Sequence, residues 1–175
     1  KTKLSAYLKN LLNLGILCRE FSMADATKEK ANVQRGIYRL TDNFFRFWYA
    51  FVFPNLSELE SGDVDGIWDC VVHDKMDSFV SYIFEDICKQ YLRLKNQKNE
   101  LSFHFTKIGR WWNKTDEIDI FAKDAEGSHI LVGECKYRNS PFPLAELVKL
   151  QKKLPKEEGK TVDYWIFSKS GFTED

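Results

Sequence analysis

Asp119, Glu134 and Lys136 are the residues of this chain whose types and spacing best suit chemistry. In the run from Ile130 to Lys136 alternate residues share a face, so Ile130, Val132, Glu134 and Lys136 point one way and Leu131, Gly133 and Cys135 the other. Both faces begin apolar, as in a strand covered on both sides, and charge then appears abruptly on one of them. Asp119 lies between Ile118 and Ile120 in the preceding strand, on the face of Glu117 and Phe121, and a short hairpin connection can set it near Glu134. Two carboxylates about 4 Å apart repel by roughly 4 kcal/mol at an effective dielectric near 20. A divalent cation turns that repulsion into attraction, and Mg2+ takes a few carboxylates while keeping several waters. Lys136 can then orient or activate a metal-bound water and stabilise charge growing on a phosphate. The bland use of the same residues is a solvated strand end, with Glu134 and Lys136 in a surface ion pair worth about 0 to 1 kcal/mol.

The elements around these residues read in order. Leu4, Tyr7, Leu8, Leu11 and Leu12 recur at helical spacing, and Gly15 sits where a left-handed cap belongs. Ile16 to Phe21 and Gly36 to Leu40 read as two strands of a hairpin joined by a polar loop. A helix followed by such a hairpin is the back half of a winged helix, carrying Arg19, Lys28, Lys30 and Arg35 as candidate phosphate contacts. Thr41 and Asp42 can cap a helix bearing Phe44, Phe45, Phe47, Trp48 and Phe51, apolar around most of its circumference and expected to be buried on several sides. Pro54 ends it, and Asn55 to Asp65 reads as linker or turn, which divides the chain into residues 1–65 and 66–175.

The second part opens with a helix on which Met76, Phe79, Val80, Ile83, Phe84, Ile87, Cys88 and Tyr91 form the apolar stripe. Leu101 to Trp112 reads as a strand with an irregular start, followed by strands over Glu117 to Ala122 and Ile130 to Lys136. Leu144, Leu147, Val148, Leu150 and Leu154 mark a helix that Pro155 closes, and Val162 to Phe167 is a last strand, a parallel partner of Ile130 to Lys136. The fold class is therefore mixed, α+β and α/β.

Composition narrows the partners. Lys and Arg number 26 against 26 Asp and Glu, so any nucleic-acid contact must come from local clusters of charge. Cys18, Cys70, Cys88 and Cys135 lack CxxC or CxxH spacing, which gives no support to a zinc cluster or a dithiol motif and leaves buried reduced thiols of a cytoplasmic protein as the expectation. His73, His104 and His129 are scattered without ligand spacing. No stretch approaches the roughly 20 apolar residues of a membrane span, and no signal peptide is expected in these residues. Lys1 leads almost at once into a helical pattern without an initiator Met, so the sequence reads as part of a longer chain.

With Ile118-Asp119 followed by Glu134-Cys135-Lys136 in this order of elements, the second part resembles the PD-(D/E)XK restriction-endonuclease-like superfamily, whose core is helix, three-strand meander, helix, strand. More narrowly, the runs Tyr38 to Tyr49, Ile108 to Asn113, Glu117 to Ile120 and Val132 to Lys136 resemble the C-terminal region of archaeal-type AAA ATPases, a domain of unknown function. That resemblance implies an ATPase module upstream, a winged-helix segment and a nuclease-like terminal domain. It assigns Asp119 and Glu134 to the metal, with Cys135 and the helical acid Glu85 completing the metal shell, and Lys136 to catalysis. Mg2+ or Mn2+ is the implied cofactor and DNA the implied partner. Ile118 stands where the superfamily motif carries proline. Gln151 resembles a polar helper on the second helix. Arg110, Trp111 and Trp112 lie on a neighbouring strand, where one tryptophan can be core and the other near the site; Arg110 and Trp112 are candidate nucleic-acid contacts. No G-x-x-x-x-G-K-[ST] occurs, so ATP binding is expected only in the upstream module. Two functions compete: a Mg2+-dependent phosphodiesterase on DNA, and a non-catalytic nucleic-acid or protein-interaction module that regulates the attached ATPase.

Overall fold

The computed structural model describes residues 3–25, 36–154 and 159–174; Lys28, Lys30, Arg35 and Pro155 lie outside the described residues. It is a mixed helix-and-sheet structure in two compact units, residues 3–21 with 36–76 and residues 22–25 with 77–174 among those described. The division between the compact units falls at Met76/Asp77, within a helix. No helix among the described residues is long and apolar enough to cross a membrane.

In the first unit, α1 (Lys3–Asn13) ends because Gly15 turns left-handed at φ +70°. Its N–H donates to the Leu12 carbonyl and that of Ile16 to Leu11, closing a Schellman motif. Strands β1 (Leu17–Glu20) and β2 (Ile37–Leu40) pair antiparallel as expected, Leu17 opposite Leu40. Arg19 lies over the rings of Phe21 and Tyr38, at 5.1 and 5.4 Å, which occupies it in cation–π contacts.

The Asp42 carboxylate caps α2 (Asn43–Phe47) by accepting from the Phe44 N–H at 2.6 Å. The helical run continues as a π-helical segment, Trp48–Val52, and a 3-10 turn, Phe53–Asn55. Rings four apart meet along it, as at Phe47–Phe51 (5.2 Å) and Tyr49–Phe53 (5.6 Å). Burial all round does not hold: Phe51 is buried, but Phe44 is 63% exposed, and Tyr49 and Phe53 are exposed as well. The expected linker is also corrected. Its residues form α3 (Leu56–Glu60), a turn through Gly62 at φ +95°, and α4 (Val64–Ile67), which Asp63 caps through the Gly66 N–H. A π-helical turn, Trp68–Val72, leads on into α5 (His73–Gln97). Ser61 closes α3 and Asp63 caps α4 where the composition read as linker or turn.

In the second unit, the inner face of α5 is narrower than its apolar stripe. Cys88, Leu92 and Asn96 are buried at four-residue spacing, while Ile87 and Tyr91 are exposed. Asn96 also explains why no strand begins at Leu101. Its side-chain amide donates to the Phe105 carbonyl (2.9 Å) and accepts from the Phe105 N–H (3.0 Å), giving that segment the bonds a neighbouring strand would have supplied. Strand β3 starts at Lys107 and runs to Trp112.

Strands β3, β4 (Glu117–Lys123) and β5 (His129–Lys136) form an antiparallel meander, and β6 (Thr161–Ser168) adds parallel to β5 after α6 (Leu144–Lys153), in the order β3-β4-β5-β6. In the β3–β4 connection the Asn113 side chain accepts from the Thr115 and Asp116 N–H groups, both at 2.7 Å. In the β4–β5 connection partial burial raises the Asp124 pKa, but bonds from Ser128, the His129 N–H and side chain, and the Gly127 N–H outweigh it and hold the carboxyl at about 2.

The sheet is covered on both faces. Cys88 and Leu92 of α5 pack with Ile108, Ile120, Ala122, Leu131 and Cys135 on one side. Leu150 of α6 packs with Trp111, Ile118, Phe121, Ile130 and Val132 on the other. β5 is buried along both faces as its sequence required. At Gly133 a Cβ would stand 2.9 Å from the Ile120 Cβ and 3.3 Å from the Trp165 carbonyl oxygen. Gly133→Ala is therefore expected to cost about 1–3 kcal/mol, measured by urea denaturation, because the facing backbone must shift. An unchanged midpoint would mean that β4 and β5 are not this close.

Candidate functional site

The site is built where the β4–β5 ladder ends. Main-chain pairing runs from Lys123↔Ile130 to Ile120↔Gly133 and then stops. Beyond it the Asp119 carboxylate takes over, accepting from the Cys135 N–H at 2.8 Å. A bulge causes the change. Gly109 pairs with Phe121 but Trp111 with Ile118, so β4 carries one residue more than β3 between these pairs. The strict alternation that put Glu117, Asp119 and Phe121 on one face is thus broken. Ile118 and Phe121 both face the α6 side, and Ile120 faces α5.

Glu134 follows Ile130 and Val132 on the α6 side and is only 6% exposed. Lys136 donates to its Oε1 at 2.5 Å, and Lys153, from the last turn of α6, stands 3.5 Å from its Oε2. This is a half-buried pair and not the solvated ion pair of the bland alternative. Burial raises the Asp119 pKa, the Glu134 charge adds to the rise, and the Cys135 N–H and the charges of Lys136 and Lys153 oppose it. Burial lowers the Lys136 pKa, but the Glu134 hydrogen bond and the charges of Glu134, Asp119 and Glu146 outweigh it and raise the value overall. At neutral pH Lys136 is therefore an ammonium: it donates hydrogen bonds and supplies positive charge, and does not act as a base.

A cavity of about 340 Å³ opens beside this cluster, and Glu85, Arg110, Glu117, Asp119, Lys136 and Arg138 contribute to its wall. Glu85 does turn inward from α5, but its carboxylate faces Arg110, with Nε 3.8 Å from Oε2. Arg110 also bonds Glu117 and lies 5.8 Å from the Trp112 ring, so its charge serves the cavity's own acids. Trp111 is buried in the core and Trp112 is half-buried beside Arg110. The Cys135 thiol lies on the α5 side against Cys88, and their shared hydrogen bond and burial push it above the usual thiol range. Cys18 and Cys70 are exposed, contrary to expectation, and Cys88 and Cys135 are buried.

Gln151 is exposed, and the α6 side chain that reaches Glu134 is Lys153. The sequence held a signal for it: Leu147, Leu150 and Leu154 define the inner face of α6, and Lys153 is three residues after Leu150. None of the three histidines belongs to the cluster; His129 bonds Asp124, His73 pairs with Asp74, and His104 lies 3.5 Å from Asn96.

Among the described residues no group of three or more His, Cys, Asp or Glu side chains is arranged to hold a metal ion. Asp119, whose pKa is pushed up by burial and by the Glu134 charge, and Glu134 itself are oxygen donors of the kind that Mg2+ or Mn2+ takes. Such ions are content with few protein oxygens and several waters. Zinc also accepts carboxylate oxygens but is usually held together with His nitrogen or Cys sulfur, and no histidine stands in this cluster.

Residues 48–165, more than half of the chain, match a family described as archaeal and bacterial proteins of unknown function, DUF234. An uncharacterized protein of Methanocaldococcus jannaschii is 34% identical over 137 residues, which cover 78% of this chain and 29% of that protein. The chain thus spans less than a third of that relative's length. No solved structure matches the chain. On the extent of the family match, which takes in Asp119 and Glu134–Lys136, the chain belongs to this family of archaeal and bacterial proteins of unknown function.

Proposed function

We propose that the second unit is a Mg2+- or Mn2+-dependent phosphodiesterase acting on DNA, with Asp119 and Glu134 holding the ion and Lys136 assisting the reaction. The observation that carries this is the Lys136–Glu134 pair at the end of the β4–β5 ladder, with Asp119 anchored on the Cys135 N–H, under the influence of the Glu134 charge, and lining an open cavity with Lys136. The element order, helix, three-strand meander, helix and parallel strand, supports kinship with the PD-(D/E)XK fold. When bound, the ion would polarise the phosphate and lower the pKa of a water. The protein's own residues do the rest. Asp119 is fixed in place by the Cys135 N–H, and Glu134 is held by two lysines. Lys136, charged at neutral pH, donates to a phosphate oxygen on which negative charge grows.

In the same proposal, α1 with the β1–β2 hairpin is the tail of a winged-helix segment, and the chain is the terminal module of a longer ATPase. That the chain covers 29% of its archaeal relative supports the greater length. The second candidate, a module that binds and regulates without cutting, draws on the exposed Phe44, Tyr49 and Phe53. Calorimetric titration with Mg2+ and Mn2+ in the presence of DNA separates the two. Saturable binding at millimolar ion is expected for the phosphodiesterase, and no uptake at that level would favour the second.

A further inference from the structure

Sequence and fold bring a second lysine to the acidic pair. Leu150 and Leu154 pack α6 onto the sheet, and this phase carries Lys153 inward until its Nζ lies 3.5 Å from Glu134 Oε2, on the opposite oxygen from Lys136. Its charge also acts on Asp119. The cluster therefore contains two carboxylates, Asp119 and Glu134, and two ammonium groups, Lys136 and Lys153. Its formal charge is zero before any ion arrives.

We propose that Lys153 is a positioning residue whose charge balances the Asp119–Glu134 pair and so keeps its affinity for a divalent cation low. This inference rests on the metal-dependent reading of the site given above. The physical ground is Coulombic. A unit positive charge beside the cation's ligands opposes a doubly charged ion, and a group one-third exposed does so less than a fully buried one. A neutral cluster becomes doubly positive once the ion is bound, which favours a phosphodiester anion. With Lys153 neutralised, the cluster would bind the ion more tightly and the anion more weakly.

The test titrates the chain with Mn2+ by calorimetry in four forms: wild type, Lys153→Met, Lys153→Arg and, as a surface control, Lys152→Met. Lys153→Met is expected to bind Mn2+ about three- to tenfold more tightly, Lys153→Arg to return to the wild-type value, and Lys152→Met to match wild type. A purely structural role would move Lys153→Met the other way, because a loosened carboxylate binds less well. If Lys153→Met does not fold, Lys153→Gln, which keeps much of the length without the charge, replaces it. Wild-type protein that binds Mn2+ with an affinity unchanged or weakened in the neutral variants overturns this inference alone. Wild-type protein that takes up no Mn2+ overturns both the metal reading and the inference.

Discussion

Replacing Lys136 with alanine is expected to lower the rate of Mg2+-dependent DNA cleavage by at least about 100-fold while leaving metal uptake in place, the scale seen when one preorganised donor to a developing oxyanion is removed. Lys136 leaves β5 two residues beyond Glu134 and bonds its Oε1, so the backbone and the carboxylate together fix the ammonium at the mouth of the cavity. Its pKa lies above the ordinary lysine value, the pull of Glu134 and the neighbouring acids exceeding the cost of burial. The group is thus fully charged across the neutral range, and the cleavage rate should show no inflection from it between about pH 6 and 9. Lys136→Arg keeps the charge but changes reach and donor geometry, and is expected to recover only part of the rate. Single-turnover cleavage of end-labelled DNA measures all three. Wild-type rates in Lys136→Ala would remove the lysine from the chemistry.

Asp119→Asn is expected to change stability with a sign that depends on pH and on metal. The Asp119 carboxyl has a folded pKa above its unfolded value, through burial first and the Glu134 charge second. An acid raised in this way adds no penalty below its unfolded pKa, near 3.9, where it is neutral in both states. Native stability is then lost as pH rises through the folded pKa, because the native state resists the charge. Asparagine carries no charge and can still accept the Cys135 N–H. Without metal, Asp119→Asn should therefore match wild type near pH 4 and exceed it at neutral pH, as read by urea denaturation. With metal the order reverses. Mg2+ at ten times its dissociation constant stabilises the wild-type chain by about 1.4 kcal/mol, and the variant should lose that gain. A metal-induced shift that survives in Asp119→Asn would move the ion elsewhere.

The strand pattern was legible because β5 is doubly covered and strictly alternating, so the appearance of Glu134 and Lys136 after Val132 marked the strand end and drew attention to the candidate site. The bulge at Asp119 was not legible. Ile118-Asp119-Ile120 alternates without fault, and the extra residue shows only when Trp111 and Gly109 of β3 are paired against it. The apolar stripe of α5 misled for a related reason: its length gave more apolar positions than one sheet face can cover, so Ile87 and Tyr91 stayed outside while Cys88 and Leu92 went in. Asn55 to Asp65 looked like a linker because Ser, Asp and Gly serve helix caps as readily as loops. On α6 the apolar phase pointed to Lys153, whereas the resemblance to the PD-(D/E)XK superfamily drew attention to Gln151.

The most direct measurement is cleavage of labelled single- and double-stranded DNA by the wild-type chain, with Mg2+, with chelator, and with Asp119→Asn as the blank. The account predicts products that require both Mg2+ and Asp119. Cleavage that persists in Asp119→Asn, or metal uptake by the wild type without cleavage of either DNA form, would contradict it.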